Sequence, residues 1–250
     1  MTNFKDRLAE GGKLRGLWQS LATPYTAEIC ARAGFDWLLF DGEHAPNSVP
    51  SLLAQLQAVT PFTATPIART PDDNPAIIKQ YLDIGFSNLL VPMVESGAQA
   101  ERIVAATRFP PRGIRGVASA VSRASGFGAN ANYLAMAHEM VTLIVQIESR
   151  TGLEAIDDIA ATSGVDALFI GPADLAASLG HLGNPRHPEV QAAIDHAFAR
   201  IKSASKPAGI FALSPEDAKL RFAQGFSFVS LGTDIGLLTA GTKALLAQAD

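Results

Sequence analysis

The sequence predicts a single (β/α)8 barrel of the TIM type, and three observations carry that reading. Eight short apolar, β-rich runs alternate with helical patterns along 250 residues. The runs are near-continuous in Val, Ile and Leu, as strands buried on both faces are. Polar and ionisable residues gather where the runs end, which is where a barrel builds its site. A doubly wound open sheet is the main rival. Eight units without a second compositional domain favour one barrel domain over residues 1–250.

The first strand is "LRGLWQSL", from about Leu14, and "PYTAEICARAG" is a helix closed by Gly34. "WLLF" and "VPSLLAQLQAV" form the second unit, and "TPIAR" is the third strand. In "NPAIIKQYLDIG" Asn74 is the expected N-cap and Pro75 the first helical residue. "NLLVPMV" is the fourth strand, followed by the helical "GAQAERIVAATRF". The strands "VTLIVQIES", "VDALFIG", "KPAGIFAL" and "FSFVSLG" follow, each with a helical pattern after it, the last being "TAGTKALLAQA". One stretch breaks the rhythm. Residues 109–140, rich in Gly, Ala, Ser and Arg, form a long insertion after strand four, and such βα loops are usually functional.

Composition narrows the function classes. Charged residues make up only 18% against 48% hydrophobic, which excludes a disordered chain. Mean hydropathy is +0.16, and the sparse surface charge points to a partner subunit covering apolar surface. The formal net charge of −4, with no basic run, argues against nucleic acid and anionic membranes as partners. No apolar run spans a bilayer, and the start, "MTNFKDRLAEGG", has no signal-peptide core. A lone Cys30 excludes an internal disulfide and a cysteine metal cluster. A cytoplasmic protein is the expectation.

The strand ends hold the chemistry. In order they are Trp18, then Asp41, Glu43 and His44, then Arg69, Pro92 and Met93, Gln146 and Glu148, Gly171 to Asp174, Phe211, and Thr233 with Asp234. Glu148 and Asp174 each follow an apolar strand, on consecutive strands. Two carboxylates without cysteine suit a hard divalent cation such as Mg²⁺, Mn²⁺ or Co²⁺; solvated loop acids give the same spacing, and the residues alone leave both readings open. His44 is a general-base candidate beside Asp41 and Glu43, set against an ordinary surface histidine. Arg69 is either an enolate clamp or the ion-pair partner of Asp41 or Glu43. Of the seven lysines only Lys206 lies near a strand, and at its start, which argues against an imine-forming aldolase. No Walker A or G-x-G-x-x-G sequence supports a nucleotide cofactor.

Taken together, "FDGEHAPN", "PIARTP", "PPRGIRG", "QIES" and "GPADLAASLG" resemble the metal-dependent class II pyruvate aldolases, the family of 4-hydroxy-2-oxoheptane-1,7-dioate aldolase and 2-dehydro-3-deoxyglucarate aldolase. The resemblance runs from Trp18 to the loop after strand eight. It implies a barrel whose last helix is exchanged between subunits of a hexamer, a trimer of dimers. It implies Glu148 and Asp174 as metal ligands, and Gln146 with the backbone of Gly171, Pro172 and Ala173 as the 2-oxoacid site. His44 would be the base, Arg69 the enolate stabiliser, and Asp83 of a neighbouring subunit the support of the histidine. Trp18 would line the pocket, with Phe211, Val117 and Ala118 facing the aldehyde. The expected reaction joins or cleaves the bond between a 2-oxoacid enolate, pyruvate or hydroxypyruvate, and an aldehyde. The alternatives are a coenzyme A thioester lyase resembling the citrate lyase β subunit, a phosphoenolpyruvate mutase-like isomerase or hydrolase, and a barrel that only binds a metabolite.

Overall fold

The computed structural model describes residues 3–249, so the ends of the expected 1–250 domain lie outside the described residues. Eight parallel strands close into one barrel in chain order. They are β1 (Leu14–Gln19), β2 (Trp37–Asp41), β3 (Thr65–Arg69), β4 (Asn88–Val91), β5 (Thr142–Ile147), β6 (Ala167–Ile170), β7 (Ala208–Phe211) and β8 (Phe228–Thr233). The helices are α1 (Phe4–Ala9), α2 (Pro24–Arg32), α3 (Val49–Val59), α4 (Pro75–Asp83), α5 (Gly97–Thr107), α6 (Tyr133–Met140), α7 (Arg150–Glu154), α8 (Ile156–Ala161), α9 (Pro172–Ser178), α10 (Pro188–Ser203), α11 (Pro215–Gln224) and α12 (Asp234–Ala247). No helix among the described residues is long and apolar enough to cross a membrane.

Local chemistry restarts a helix after nearly every strand. The side chains of Thr23, Ser48, Asn74, Ser96, Ser149, Ser214 and Thr233 each accept a backbone N–H of the first turn. Proline occupies the first turn of α2, α3, α4, α9, α10 and α11, where its missing N–H costs nothing.

The period of two along each strand sorts the core into two layers. Leu17, Leu38, Phe40, Ala68, Leu143, Val145 and Ile147 face outward and pack beneath the helices. Leu14, Trp18, Trp37, Leu39, Ile67, Ile144, Phe169 and Phe228 face inward and fill the barrel. The buried Trp37 indole N–H donates to the Leu14 carbonyl at 3.1 Å, so no polar group is stranded. The charged start of the chain is a helix with a job. Through Phe4 and Leu8, both buried, α1 plugs the N-terminal mouth, with Phe4 edge-on to Phe228 at 6.0 Å. Arg7 anchors it on the Asp36 carboxylate at 3.0 Å.

The insertion at 109–140 contains a short 3-10 turn at Arg123–Ser125 and α6. Its fixed point is Arg115, buried between the Phe109 ring (4.5 Å) and the Tyr133 hydroxyl (3.0 Å) and paired with Asp83 at 2.6 Å. At the other extreme, every residue of α12 after Asp234 is exposed, including Leu237, Leu238, Leu245 and Leu246. Asp234 itself is buried and ties the helix start to β1 by accepting the N–H groups of Ser20 (2.8 Å) and Leu21 (3.1 Å).

Gly16 pairs with Trp37 across β1 and β2, and the indole lies where a Cβ on Gly16 would sit. Gly16→Ala therefore forces the largest interior ring to move. We expect a loss of about 1–3 kcal/mol, read as a drop in Tm of roughly 2–4 °C per kcal/mol for a domain of this size. An unchanged Tm would contradict this packing.

Candidate active site

The inward alternation that fills the barrel continues one step past its apolar layers. After Trp37 and Leu39 the next inward residue of β2 is Asp41; after Ile67 on β3 it is Arg69; after Ile144 on β5 it is Gln146, then Glu148. The C-terminal mouth is thus lined by polar groups because β2, β3 and β5 continue their inward alternation beyond the apolar run.

Arg69 and Asp41 are the fixed pair. Arg69 Nε donates to Asp41 Oδ1 at 2.9 Å and Nη2 to Oδ2 at 2.7 Å, with both side chains buried. Asp41 also accepts the Trp18 indole N–H (3.2 Å) and the backbone N–H groups of Glu43 (2.9 Å) and His44 (3.3 Å). Burial alone would push the Asp41 carboxyl up, but the Arg69 guanidinium and those amides overcome it and hold it below the usual carboxylate range. The guanidinium also lies over the Trp18 ring at 5.0 Å. Both sequence readings of Arg69 hold at once at the level of position: it is the partner of Asp41, and its Nη1 reaches toward the mouth, 2.7 Å from Glu43 Oε2.

Glu148 is the second focus. Burial first, and then the charges of Asp174 and Glu43, push its carboxyl up to about 7, against the Met93 N–H and Arg69. Met93 has φ +52°, a conformation most side chains avoid, and its N–H donates to Glu148 Oε1 at 2.9 Å. Glu148 Oε2 takes the Gln146 amide N–H, which leaves the Gln146 Oε1 buried without a partner. Gly171 lies over both: a Cβ there would meet Glu148 Oε2, and Gln146 Nε2 at 2.7 Å. Glu43 is likewise raised, by burial first and further by Asp41 and Asp174, against Arg69 and His44.

Asp174 projects from the first turn of α9, exposed at the mouth. Pro172 is buried beside it and Ala173 exposed. Phe211, half-buried, packs edge-on to Trp18 at 5.4 Å. His44 stands at the rim with its side chain 64% exposed, Nε2 3.7 Å from Glu43 Oε2. Val117 and Ala118 are exposed on the insertion. The single chain does not bring Asp83 to His44; Asp83 is engaged by Arg115.

The site fits a divalent cation. Asp41, Glu43, Glu148 and Asp174 gather at one mouth, with Arg69 as the permanent cation acting on the first three. A carboxyl pushed up to about 7 by burial first and then by neighbouring carboxylates, beside an unpartnered amide oxygen, offers the oxygen ligands that suit Mg²⁺ or Mn²⁺. Glu148 and Asp174 would hold it. A second grouping, His181, His187 and Glu189, lies where the turn after α9 leads into α10. There the two imidazoles stack face to face at 3.6 Å, so their in-plane lone pairs run parallel rather than converge on one ion.

Sequence reasoning missed the Met93 amide, the Arg115 anchor and Tyr81, whose hydroxyl lies under Gly42 and is pushed up to about 12 by burial and then by Asp41 and Asp72. The apolar run entering Pro92 and Met93 marked the position, but only the backbone conformation makes it functional.

Comparison with known proteins places this site in context. The family model described as HpcH/HpaI aldolase/citrate lyase matches residues 14–240. A "Hydroxypyruvate/pyruvate aldolase" of Pseudomonas aeruginosa is 52% identical over 245 residues, covering 98% of this chain and 91% of the relative. A "5-keto-4-deoxy-D-glucarate aldolase" of Salmonella arizonae is 50% identical over 242 residues, covering 97% and 94%. Among solved structures, an HpcH/HpaI aldolase/citrate lyase family protein from Burkholderia cenocepacia superposes with a TM-score of 0.96 at 41% identity, covering 99% of both chains. Chains titled CitE from Mycobacterium tuberculosis, at 16% identity and a TM-score of 0.60, share the fold alone.

The raised carboxyl fixes a pH dependence. In the metal-free protein Glu148 keeps its proton up to about 7 when folded but loses it near 4.5 when unfolded. Between those values the folded state binds more protons, so stability falls as pH rises through this window, by up to about 3 kcal/mol from this group. The lowered Asp41 acts the other way, and only at more acidic pH. A divalent cation competes with the Glu148 proton. Saturating Mg²⁺ or Mn²⁺ should therefore raise Tm more at about pH 8 than at about pH 5.5. Equal gains at both would sink the assignment of Glu148 as a ligand.

Proposed function

The chain belongs to the HpcH/HpaI aldolase/citrate lyase family, a metal-dependent aldolase class, and is a carbon–carbon lyase of the pyruvate-aldolase type; from that premise we propose that the mouth around Arg69, Glu148 and Asp174 binds a 2-oxoacid, pyruvate or hydroxypyruvate, and joins it to or splits it from an aldehyde. The observation that carries this reading is the Glu148 carboxyl, buried among acids beside one rigid guanidinium. When bound, the divalent cation supplies Lewis-acid stabilisation of the charge that develops on the ketone oxygen.

The residues of this chain do the rest. Arg69 donates an N–H to the same oxygen, held in place by Asp41 so that little reorganisation is needed as charge develops. Gln146 and the backbone around Ala173 seat the 2-oxoacid: the Ala173 N–H serves its carboxylate, while the unpartnered Gln146 Oε1 is an acceptor and takes a hydroxyl or water proton rather than the carboxylate. In cleavage His44, directly or through one water, takes the proton of the C4 hydroxyl. The C3–C4 electron pair then moves toward C2 and the ketone oxygen, releasing the aldehyde and an enolate that takes a proton at C3. Synthesis reverses these steps. Trp18 and Phe211 give the acceptor side an apolar wall, and Val117 and Ala118 extend it along the insertion.

Two further features belong to this reading. The uncovered α12, with Leu237, Leu238, Leu245 and Leu246 exposed, suits exchange onto a neighbouring subunit in a hexamer. In that arrangement a neighbour's Asp83 supports His44. A cytoplasmic location, with the lone Cys30 as a free thiol, belongs to the same reading.

Two experiments test these proposals. His44→Ala should lose most aldol cleavage, about 100-fold or more, while Mg²⁺-dependent exchange of pyruvate methyl protons into D₂O, followed by NMR, keeps its dependence on the metal. Wild-type turnover in the variant would remove His44 as the base, and no exchange in the folded wild-type protein with any divalent cation, with hydroxypyruvate tried as well, would overturn the pyruvate-enolate reading. For the assembly, Leu245→Glu with Leu246→Glu should shift sedimentation from a hexamer to a smaller species; an unchanged boundary would remove α12 from the interface.

A further inference from the structure

A cavity of about 760 Å³ opens at the opposite end of the barrel, against the residues that lead into β6, β7 and β8. No residue of the catalytic mouth lines it. Four cations do, Lys5, Arg108, Lys202 and Lys206, against the single carboxylate of Asp166. Three positive charges in excess thus gather at one spot of a chain whose formal net charge is −4.

Two of the cations have local partners. Lys5 Nζ lies 2.6 Å from Asp166 Oδ1, and Lys206 Nζ donates to the Val165 carbonyl at 2.6 Å. Among the described residues the other two have no carboxylate partner. The Arg108 guanidinium lies against the backbone of Gly164, and the Lys202 ammonium sits 5.9 Å from the Phe198 ring. Helix ends explain part of the arrangement: α5 stops one residue before Arg108, and Lys202 lies in the last turn of α10. Each such end presents about half a negative charge, so two of them leave most of the excess unmatched. Ser205 and Ser227 line the same space and bring hydroxyl donors. Burial, and then the nearby Lys5, hold Lys206 below the ordinary lysine range against the pull of Asp166, the condition an added anion relieves.

We propose that this cavity binds a small phosphate-bearing metabolite through its phosphoryl group. A monocarboxylate would neutralise only one of the three surplus charges. A phosphate monoester carries about −1.5 to −2 at neutral pH and presents three acceptor oxygens. That suits a guanidinium fork and several ammonium groups converging from different elements. The same charge count separates this cavity from the catalytic mouth, where carboxylates outnumber the cationic side chains. The two ends share a strand, because β6 runs from Ala167 beside Asp166 to Ile170 beside Gly171.

The test is calorimetric titration of the Mg²⁺-saturated full-length protein with inorganic phosphate, ionic strength held constant with chloride. One saturable site per chain is expected. Arg108→Ala with Lys202→Ala should weaken it at least about tenfold, or 1.4 kcal/mol, with kcat for aldol cleavage unchanged. Saturating pyruvate should leave the isotherm as it was. Absence of saturable binding, an identical isotherm in the double variant, or competition by pyruvate would each overturn the proposal. Should the double variant fail to fold, Lys202→Glu alone decides, since Lys202 is exposed on α10; an unchanged isotherm there overturns it equally.

Discussion

The buried pair of Asp41 and Arg69 is the constraint on which the catalytic end depends. Two buried charges are costly unless every lone pair and donor is met. Here the geometry meets that demand: two parallel N–H donors from Arg69, the Trp18 indole and two backbone amides all converge on one carboxylate. The backbone amides are those of Glu43 and His44, so the same carboxylate that fixes the arginine also fixes the loop that carries the histidine. Removing Asp41 would release both. Removing Arg69 would leave Asp41, Glu43 and Glu148 close together with little solvent and no permanent cation beside them.

How far the sequence could be read follows from where each constraint lives. Strand order and barrel closure were legible because β-branched runs, N-caps and prolines are local signals, and all eight expected strands are present. The strand-end acids were legible because an apolar run that stops at a charge has to leave the core there. The long insertion was visible as a break in rhythm, but its anchor, Arg115 against Phe109, Tyr133 and Asp83, joins residues far apart in the chain and has no local mark. The Met93 amide was hidden for another reason: a methionine with positive φ looks like any methionine in sequence. The start of the chain reads in sequence only as lacking a signal-peptide core, and it is the plug of the barrel floor, since only the closed barrel creates the hole that Phe4 and Leu8 fill.

The two mouths of the barrel differ in charge although the strands between them are apolar. Acids cluster at the C-terminal mouth, and lysines and Arg108 at the N-terminal one. A parallel barrel makes this natural. All its strands point one way and all its helices the other, so helix C-termini collect at the floor and favour cations there. The acids at the top work against no such aligned negative ends, and a divalent cation is needed to balance them.

His44 and Asp83 show where a single chain stops being sufficient. His44, the proposed base, stands at the rim, mostly exposed, and the acid beside it, Glu43, is already drawn to Arg69 at 2.7 Å. A histidine without a dedicated carboxylate has no fixed tautomer or ring orientation. Asp83, the acid expected to supply one, sits at the C-terminus of α4, where the helix dipole opposes it and Arg115 offsets that cost. Arg115 therefore holds Asp83 at a fixed place on the surface of its own subunit, beside the insertion. In the proposed assembly, Asp83 serves the histidine of another subunit, and the exposed α12 supplies the apolar surface that brings that subunit in. On that proposal the acid missing beside His44 and the uncovered helix have one explanation, a catalytic unit made of more than one chain.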